Sequence, residues 1–312
     1  MLLLALAATG CLMYRHLSDN VAQVNLETYI GKQPADLHPQ AENILIIGSG
    51  SALGAAAAAA GASNQSGTLM LVHIAANRQW AELMSIPPSS WVNVPARTTA
   101  DVKLSASGNQ GDNHVALGAA RTIKGLERDT GIYINHFIVM NYSGFKGMVA
   151  ALGGVDVANL TAIDNPRAGL VLAPGRHQLT SAQALAYVQG LLGPGGGSGQ
   201  ARVTLQEALA WSLITRARSN LSDPLATYRF LDAFTRSLTV DSQLGGVTGL
   251  YHLAQSLHGI SASKITLFAL APSGTTDTLS AQSTDSQIFA SFRNDVPVSQ
   301  AVLAAAGRSS ST

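Results

Sequence analysis

The segment from residue 43 to residue 60 carries the most chemically suggestive spacing in the chain. A short apolar run, Asn43–Ile47, passes into Gly48-x-Gly50-x-x-x-Gly54 and then six alanines. Glycines between a strand and a helix former let backbone N–H groups close on a pyrophosphate. One reading is therefore a dinucleotide-binding turn, with Arg78 past the next strand available for a 2′-phosphate. Gly61 and Ser63-Asn64 stop the alanine run early, and no acidic residue closes the second strand, so a glycine-rich surface loop satisfies the same residues. A second group, Arg97, Asp101, Lys103 and Asp112, lies on the loop before the next helix. It could supply cations and carboxylates to a phosphotransfer, although ordinary surface charge would look the same. His73 follows the apolar run Leu69–Val72 and His136 opens a strand, which reads both as structural. Gly-x-Ser-x-Gly does not occur around Ser49 or Ser51, so no nucleophile elbow is present there.

Composition narrows the classes. Charged residues make up 12% of 312, about half the usual share, and the formal net charge is +1. No basic run or zinc-finger spacing argues for nucleic acid. The single cysteine, Cys11, sits in the first apolar run, which excludes a disulfide framework and a thiolate metal site in the folded part. Residues 1–14 are apolar and precede Arg15 and His16. At 1.5 Å per residue such a helix covers about 21 Å, short of a bilayer core. It is read as a signal anchor whose first residues precede Met1, followed by a juxtamembrane linker over 15–42. The expected location is the cell membrane, single-pass, with the domain on the extracytoplasmic side.

The elements that must position any site follow from periodicity and punctuation. Strands are expected at Asn43–Ile47, Thr68–Ile74, Trp80–Ile86, His136–Asn141, Val155–Val157 and Lys264–Leu270. Helices are expected at Val115–Asp129, stopped by Gly131, and at Phe145–Leu152. Others are read at Ser181–Gln189 behind a Thr180 cap, Val203–Arg218, Pro224–Ser237 and Gly246–Leu257. Gly193–Gly199 and Ser273–Ser286 read as loops, and 298–312 as a flexible tail. The alternation predicts an α/β sandwich around a central sheet, as one folding unit over 43–297.

Six segments, in this order and spacing, resemble the LytR–CpsA–Psr family. They are NILIIGS (43–49), TLMLVHI (68–74), MSIPxxSWVNVP (84–95), GIYINHFIVMNYSGFKGMVAALGGVDV (131–157), GLVLAPGRHQLTSAQALAYV (169–188) and PLATYRFLDAFTRSL (224–238). The resemblance implies an extracytoplasmic phosphotransferase that moves a glycopolymer from a polyprenyl (pyro)phosphate carrier onto peptidoglycan. It implies an α-β-α sandwich with a mixed central sheet and an internal apolar tunnel for the prenyl chain. It also implies Mg²⁺, an ion that needs hard oxygen ligands.

Position by position, the family's charged groups are missing. Gly50 and Ala52 stand where the family has aspartate and arginine after the first strand. Gln65 and Gly67 replace the arginine and aspartate before the second, and Pro88 and Ser89 replace Arg-Asp after the third. Lys103-Leu104-Ser105 keeps the lysine of Lys-Ile-Asn. Gln189, Leu191, Gly199 and Leu205 stand at further charged positions, while Arg202 and Gln206 match. The resemblance therefore leaves Arg202, Gln206, Ser66, Thr68 and Lys103 as contacts for a lipid phosphate, with no catalytic residue and no metal ligand, since Gly50 and Gly67 hold the carboxylate positions. The expectation is a catalytically impaired binder of a polyprenyl (pyro)phosphate-linked glycopolymer, or a partner of an active paralogue. The alternatives are a transferase using other residues and the dinucleotide turn.

Overall fold

Alternate residues of the strands separate into two apolar sets, and the computed structural model places those sets on opposite faces of one sheet. The structure describes residues 2–25, 30–49, 68–86, 111–159, 162–188, 209, 212, 215, 223–270 and 283–305. Along the chain, helix α1 (Leu2–Asn20) leads to strands β1 (Ala22–Val24), β2 (Glu42–Ser49), β3 (Thr68–Ile74) and β4 (Ala81–Ile86). Helix α2 (Gly111–Thr130), β5 (His136–Asn141) and α3 (Tyr142–Ala151) follow. Two small hairpin pairs come next, from β6 (Val155–Asn159), β7 (Ile163–Asn165), β8 (Leu170–Leu172) and β9 (Gly175–Leu179). The last elements are α4 (Ser181–Val188), α5 (Pro224–Thr235), β10 (Leu238–Asp241), α6 (Gly246–His258), β11 (Ile265–Ala269), α7 (Ser283–Arg293) and α8 (Gln300–Ala305).

The main sheet has seven strands in the order β1-β10-β5-β2-β3-β4-β11 and is mixed. β1/β10, β5/β2 and β4/β11 pair parallel, and β10/β5, β2/β3 and β3/β4 antiparallel. The antiparallel β2/β3 pair corrects the dinucleotide reading, because a βαβ unit needs its second strand parallel to the first. On one face Leu45, Ile47, Leu71, Met84, Phe137 and Phe268 meet α2, α7 and α8 through Ile123, Leu126, Ile288, Phe292 and Leu303. On the other, Ile44, Val72, Leu83, Ile138 and Val240 meet α5 and α6 through Phe234, Val247, Leu250 and Leu253. A third cluster joins α3, α4 and the hairpins around Val149, Leu170 and Tyr187.

The two helical layers seal differently. Inward residues of α2 and α7, such as Ile123, Leu126, Ile288 and Phe292, are buried. Val247, Leu250, Leu253 and Leu257 of α6 and Phe230 and Phe234 of α5 remain half-buried, as do Ile46 and Met140 on the central strands beneath. These half-buried side chains pack against the buried cluster on that face of the sheet and, for Phe230, against the third cluster.

Several expectations shift. Helix α1 runs to Asn20, beyond the expected 1–14, and β1 lies inside the expected linker because it pairs with β10. Tyr14 Oη meets Thr248 Oγ1 at 2.7 Å, His16 Nε2 meets Asp232 Oδ1 at 2.9 Å, and Asn20 donates to Asp232 at 3.1 Å. These contacts dock the second half of α1 on α5 and α6. Among the described residues no helix is long and apolar enough to cross a membrane. The expected tail from 298 instead gives α8 over Gln300–Ala305, with Val298 and Leu303 buried in the core. α2 begins at Gly111, which puts Asp112 in its first turn and not on a loop. α7 begins at Ser283, inside the expected loop 273–286.

Candidate functional site

Six strand ends converge at one end of the sheet. The register sets Gly48 opposite Thr68, Leu69 opposite Ile86, Ser49 beside Asn141, Met140 opposite Leu238 and Ala269 beside Ser85. Of the positions where the family resemblance places charged groups, 50 and 67 adjoin Ser49 and Thr68 in sequence and 88 lies two residues past Ile86. The fold thus brings the flanks of three separated segments to one edge.

Asn141 organises the described part of that edge. It ends β5 and caps α3: its Oδ1 accepts from Gly144 N at 2.6 Å and from Ser143 Oγ at 2.8 Å, while its Nδ2 donates to Ser237 O at 3.2 Å. Capping satisfies helix N–H groups that have no partner in the first turn. The junction is tight, since a Cβ on Gly144 would lie 1.8 Å from Ser237 Cβ. Asn141 was not singled out in the sequence, although Asn at a strand end with Gly three residues on is a legible cap.

Helix α4 carries the chain toward positions 189 and 191. Thr180 caps it as expected: Gln183 N donates to Thr180 Oγ1 at 3.4 Å, and Thr180 N donates to Gln183 Oε1 at 3.0 Å, a reciprocal capping box. Tyr187, fully buried, donates to Asn159 Oδ1 at 3.3 Å, and burial pushes its hydroxyl up to about 12. That bond fixes the end of α4 against β6.

Of the residues expected to touch a lipid phosphate, Arg202, Gln206, Ser66 and Lys103 lie outside the described residues. So do Gly50, Gly67, Arg97 and Asp101. Thr68 opens β3 at the converging end, though its side chain is not described. Among the described residues no cluster of three or more His, Cys, Asp or Glu could hold a metal ion. Glycine at 50 and 67, the positions to which the resemblance assigns the carboxylates, offers no ligand to magnesium.

The two histidines read as structural are held in polar networks. His73, with no exposed surface, meets Asn43 Oδ1 at 2.7 Å through Nδ1 and Asp295 Oδ1 at 3.0 Å through Nε2. Burial lowers its pKa, outweighing the Asp295 carboxylate. Its cross-strand partner Glu82 accepts from Val298 N at 2.8 Å, and burial raises its pKa to about 7. Together His73 and Glu82 tie the segment 295–298 to the sheet. Asp295 and Glu82 lie far apart in sequence, and no local pattern announces the tie. His136 pairs with Asp241 at 3.0 Å at the opposite end of the sheet from Asn141.

Comparisons with known proteins bear on this scaffold. The chain matches the LytR_cpsA_psr family over residues 12–296. It is similar to the cell wall biosynthesis protein LcpA of Corynebacterium glutamicum, 32% identical over 114 residues, covering 36% of this chain and 22% of the relative. It is also similar to the polyisoprenyl-teichoic acid–peptidoglycan teichoic acid transferase TagT of Bacillus subtilis, 25% identical over 211 residues, covering 66% of this chain and 62% of the relative. The alignments thus span less than two thirds of these relatives. Among solved structures, a LytR-Csp2A-Psr enzyme from Actinomyces oris superposes with a TM-score of 0.61 at 19% identity, covering 87% of this chain and 95% of the other. The last likeness speaks to fold alone, and the mixed sheet agrees with it. The match over residues 12–296 carries the assignment: this chain belongs to the LytR_cpsA_psr family.

Proposed function

We propose that this protein is a cell-envelope member of the family that holds a polyprenyl (pyro)phosphate-linked glycopolymer by its lipid chain and performs little or no transfer itself. The observation that supports the reading is the row of half-buried apolar side chains on one face, Ile46 and Met140 of the sheet and Phe234, Val247 and Leu250 of the helices. A prenyl chain laid against them would bury apolar surface at roughly 25 cal/mol per Å². The transfer role named for TagT gives the substrate class. The headgroup would meet Arg202 and Gln206, with Ser66, Thr68 and Lys103 as further donors.

Transfer itself needs more. An acceptor hydroxyl must give up its proton to a base and attack the phosphorus that bears the polymer while the P–O bond to the carrier phosphate breaks, and charge grows on the leaving oxygens. Losing one preorganised donor for such charge costs about 10²–10³ in rate. Neutral residues at 50, 52, 67, 88 and 89 remove several together. The protein then acts as a lipid-phosphate carrier or beside an active paralogue. We place the domain on the extracytoplasmic side, with the apolar first half of α1 entering the membrane surface.

Retention of a radiolabelled polyprenyl phosphate by the purified protein tests the reading. Retention that falls about tenfold or more in Arg202→Ala is expected. No retention by the unaltered protein would overturn it.

A further inference from the structure

Strand β5 runs about 17 Å from Asn141 back to His136, taking roughly 3.4 Å per residue. At that far end a cavity of about 160 Å³ opens between the start of β5, the end of β10 and the segment around Gln33. His136 and Asp241 stand on its wall. The Asp241 carboxylate accepts from Phe137 N at 3.0 Å and Leu244 N at 2.8 Å, so it is an acceptor toward His136 as well. His136 Nδ1 then donates to Asp241, and its Nε2 makes no hydrogen bond among the described residues.

The rest of the lining offers further polar groups. Tyr133 Oη, Ser242 Oγ, Asn135 Nδ2 and Gln33 Oε1 belong to lining residues and make no hydrogen bond among the described residues. Asn135 Oδ1 and Gln33 Nε2 are already engaged, by Asn43 N and by Glu127. Among the described lining residues Asp241 is the one carboxylate, and its oxygens are occupied. One cation, Lys124, approaches Gly31 on the wall, but its side chain is not part of the lining. Among the described lining residues no Lys or Arg is present to hold an anion, whereas hydroxyl groups that both donate and accept would find partners of each kind. The Tyr133 ring adds a flat apolar surface for C–H groups. The volume lies below that of a drug-sized site, which suits a single ring.

We propose that this cavity binds one neutral pyranose unit of a saccharide, at the end of the sheet away from the converging strand ends. The site is independent of the proposed lipid-phosphate function and stands whether or not that reading holds.

Full-length protein labelled in its histidine rings, titrated with N-acetylglucosamine and with glucose, tests the assignment by NMR. A saturable shift of the His136 ring signal is expected with at least one sugar, while the buried His73 signal stays in place. Tyr133→Phe and Ser242→Ala should each weaken binding about three- to tenfold, the scale of one neutral hydrogen bond, with unchanged unfolding midpoints. Absence of a sugar-dependent shift overturns the proposal. So does an equal response to inorganic phosphate, or unchanged sugar affinity in Ser242→Ala, whose exposed hydroxyl can be removed without harm to the fold.

Discussion

Two glycines one turn apart on α3 separate packing from conformational freedom. A Cβ on Gly144 would collide with Ser237 Cβ and approach its Cα at 2.5 Å, whereas a Cβ on Gly147 would meet Ala233 Cβ at an ordinary 3.7 Å. Gly144→Ala should cost about 3 kcal/mol, at the upper end for overpacking. Gly147→Ala should be neutral or stabilise by about 0.5–1 kcal/mol, since alanine restricts the unfolded chain. Urea unfolding midpoints of the two variants check this. The buried Glu82 makes stability depend on pH. Its carboxyl is raised from 4.5 to about 7 by burial, so the fold binds more protons than the unfolded chain between those values. The stability this provides is complete below pH 4.5 and is lost as pH rises through 7, an effect of at most about 3 kcal/mol. His73 works oppositely: its lowered pKa means that stability rises with pH up to about 6.5, the unfolded value. Near pH 7 the two act in opposite directions, and well above it only Glu82 of this pair continues to titrate. Glu82→Gln should flatten the loss of stability from pH 6.5 to 8, measured by urea midpoints at each pH. An unchanged slope would place the titration elsewhere.

At the scale of elements, apolar pattern and punctuation made the central strands legible. Thr68–Ile74 and His136–Asn141 have the expected bounds, and Gly131 ends α2 in the left-handed region at φ 66°. Short strands were not legible. β10 has only four residues and follows α5 after two, so its Leu238-x-Val240 alternation merges with the helical run before it. The strands β7, β8 and β1 have three residues each, too few to show a period, and exist because partners hold them. The site was legible only as strand flanks, since register brings 49, 68, 86 and 141 together from four separate segments. The α6 layer gives the element-scale prediction. If space lies beneath it, Leu250→Trp should change stability by less than about 1 kcal/mol and abolish retention of a prenyl phosphate. A sealed core would instead lose about 1–3 kcal/mol through overpacking. Urea unfolding together with lipid retention distinguishes the two.

For the whole molecule, the mixed sheet of the family is present, and we propose that the family's charged positions flanking its strand ends are neutral here. Positions 50 and 67 are glycine, and 88 and 89 are Pro and Ser, yet the neighbouring strands keep continuous apolar faces. We propose that those positions bear on chemistry and not on stability, since the strands' apolar faces are intact. The most direct test supplies the purified protein with a polyprenyl pyrophosphate-linked glycopolymer and an acceptor glycan, with and without Mg²⁺. Release of the carrier phosphate and retention of the lipid are followed in the same samples. Retention with no Mg²⁺-dependent release above the protein-free background is the expected result. Mg²⁺-dependent release well above that background would contradict the account.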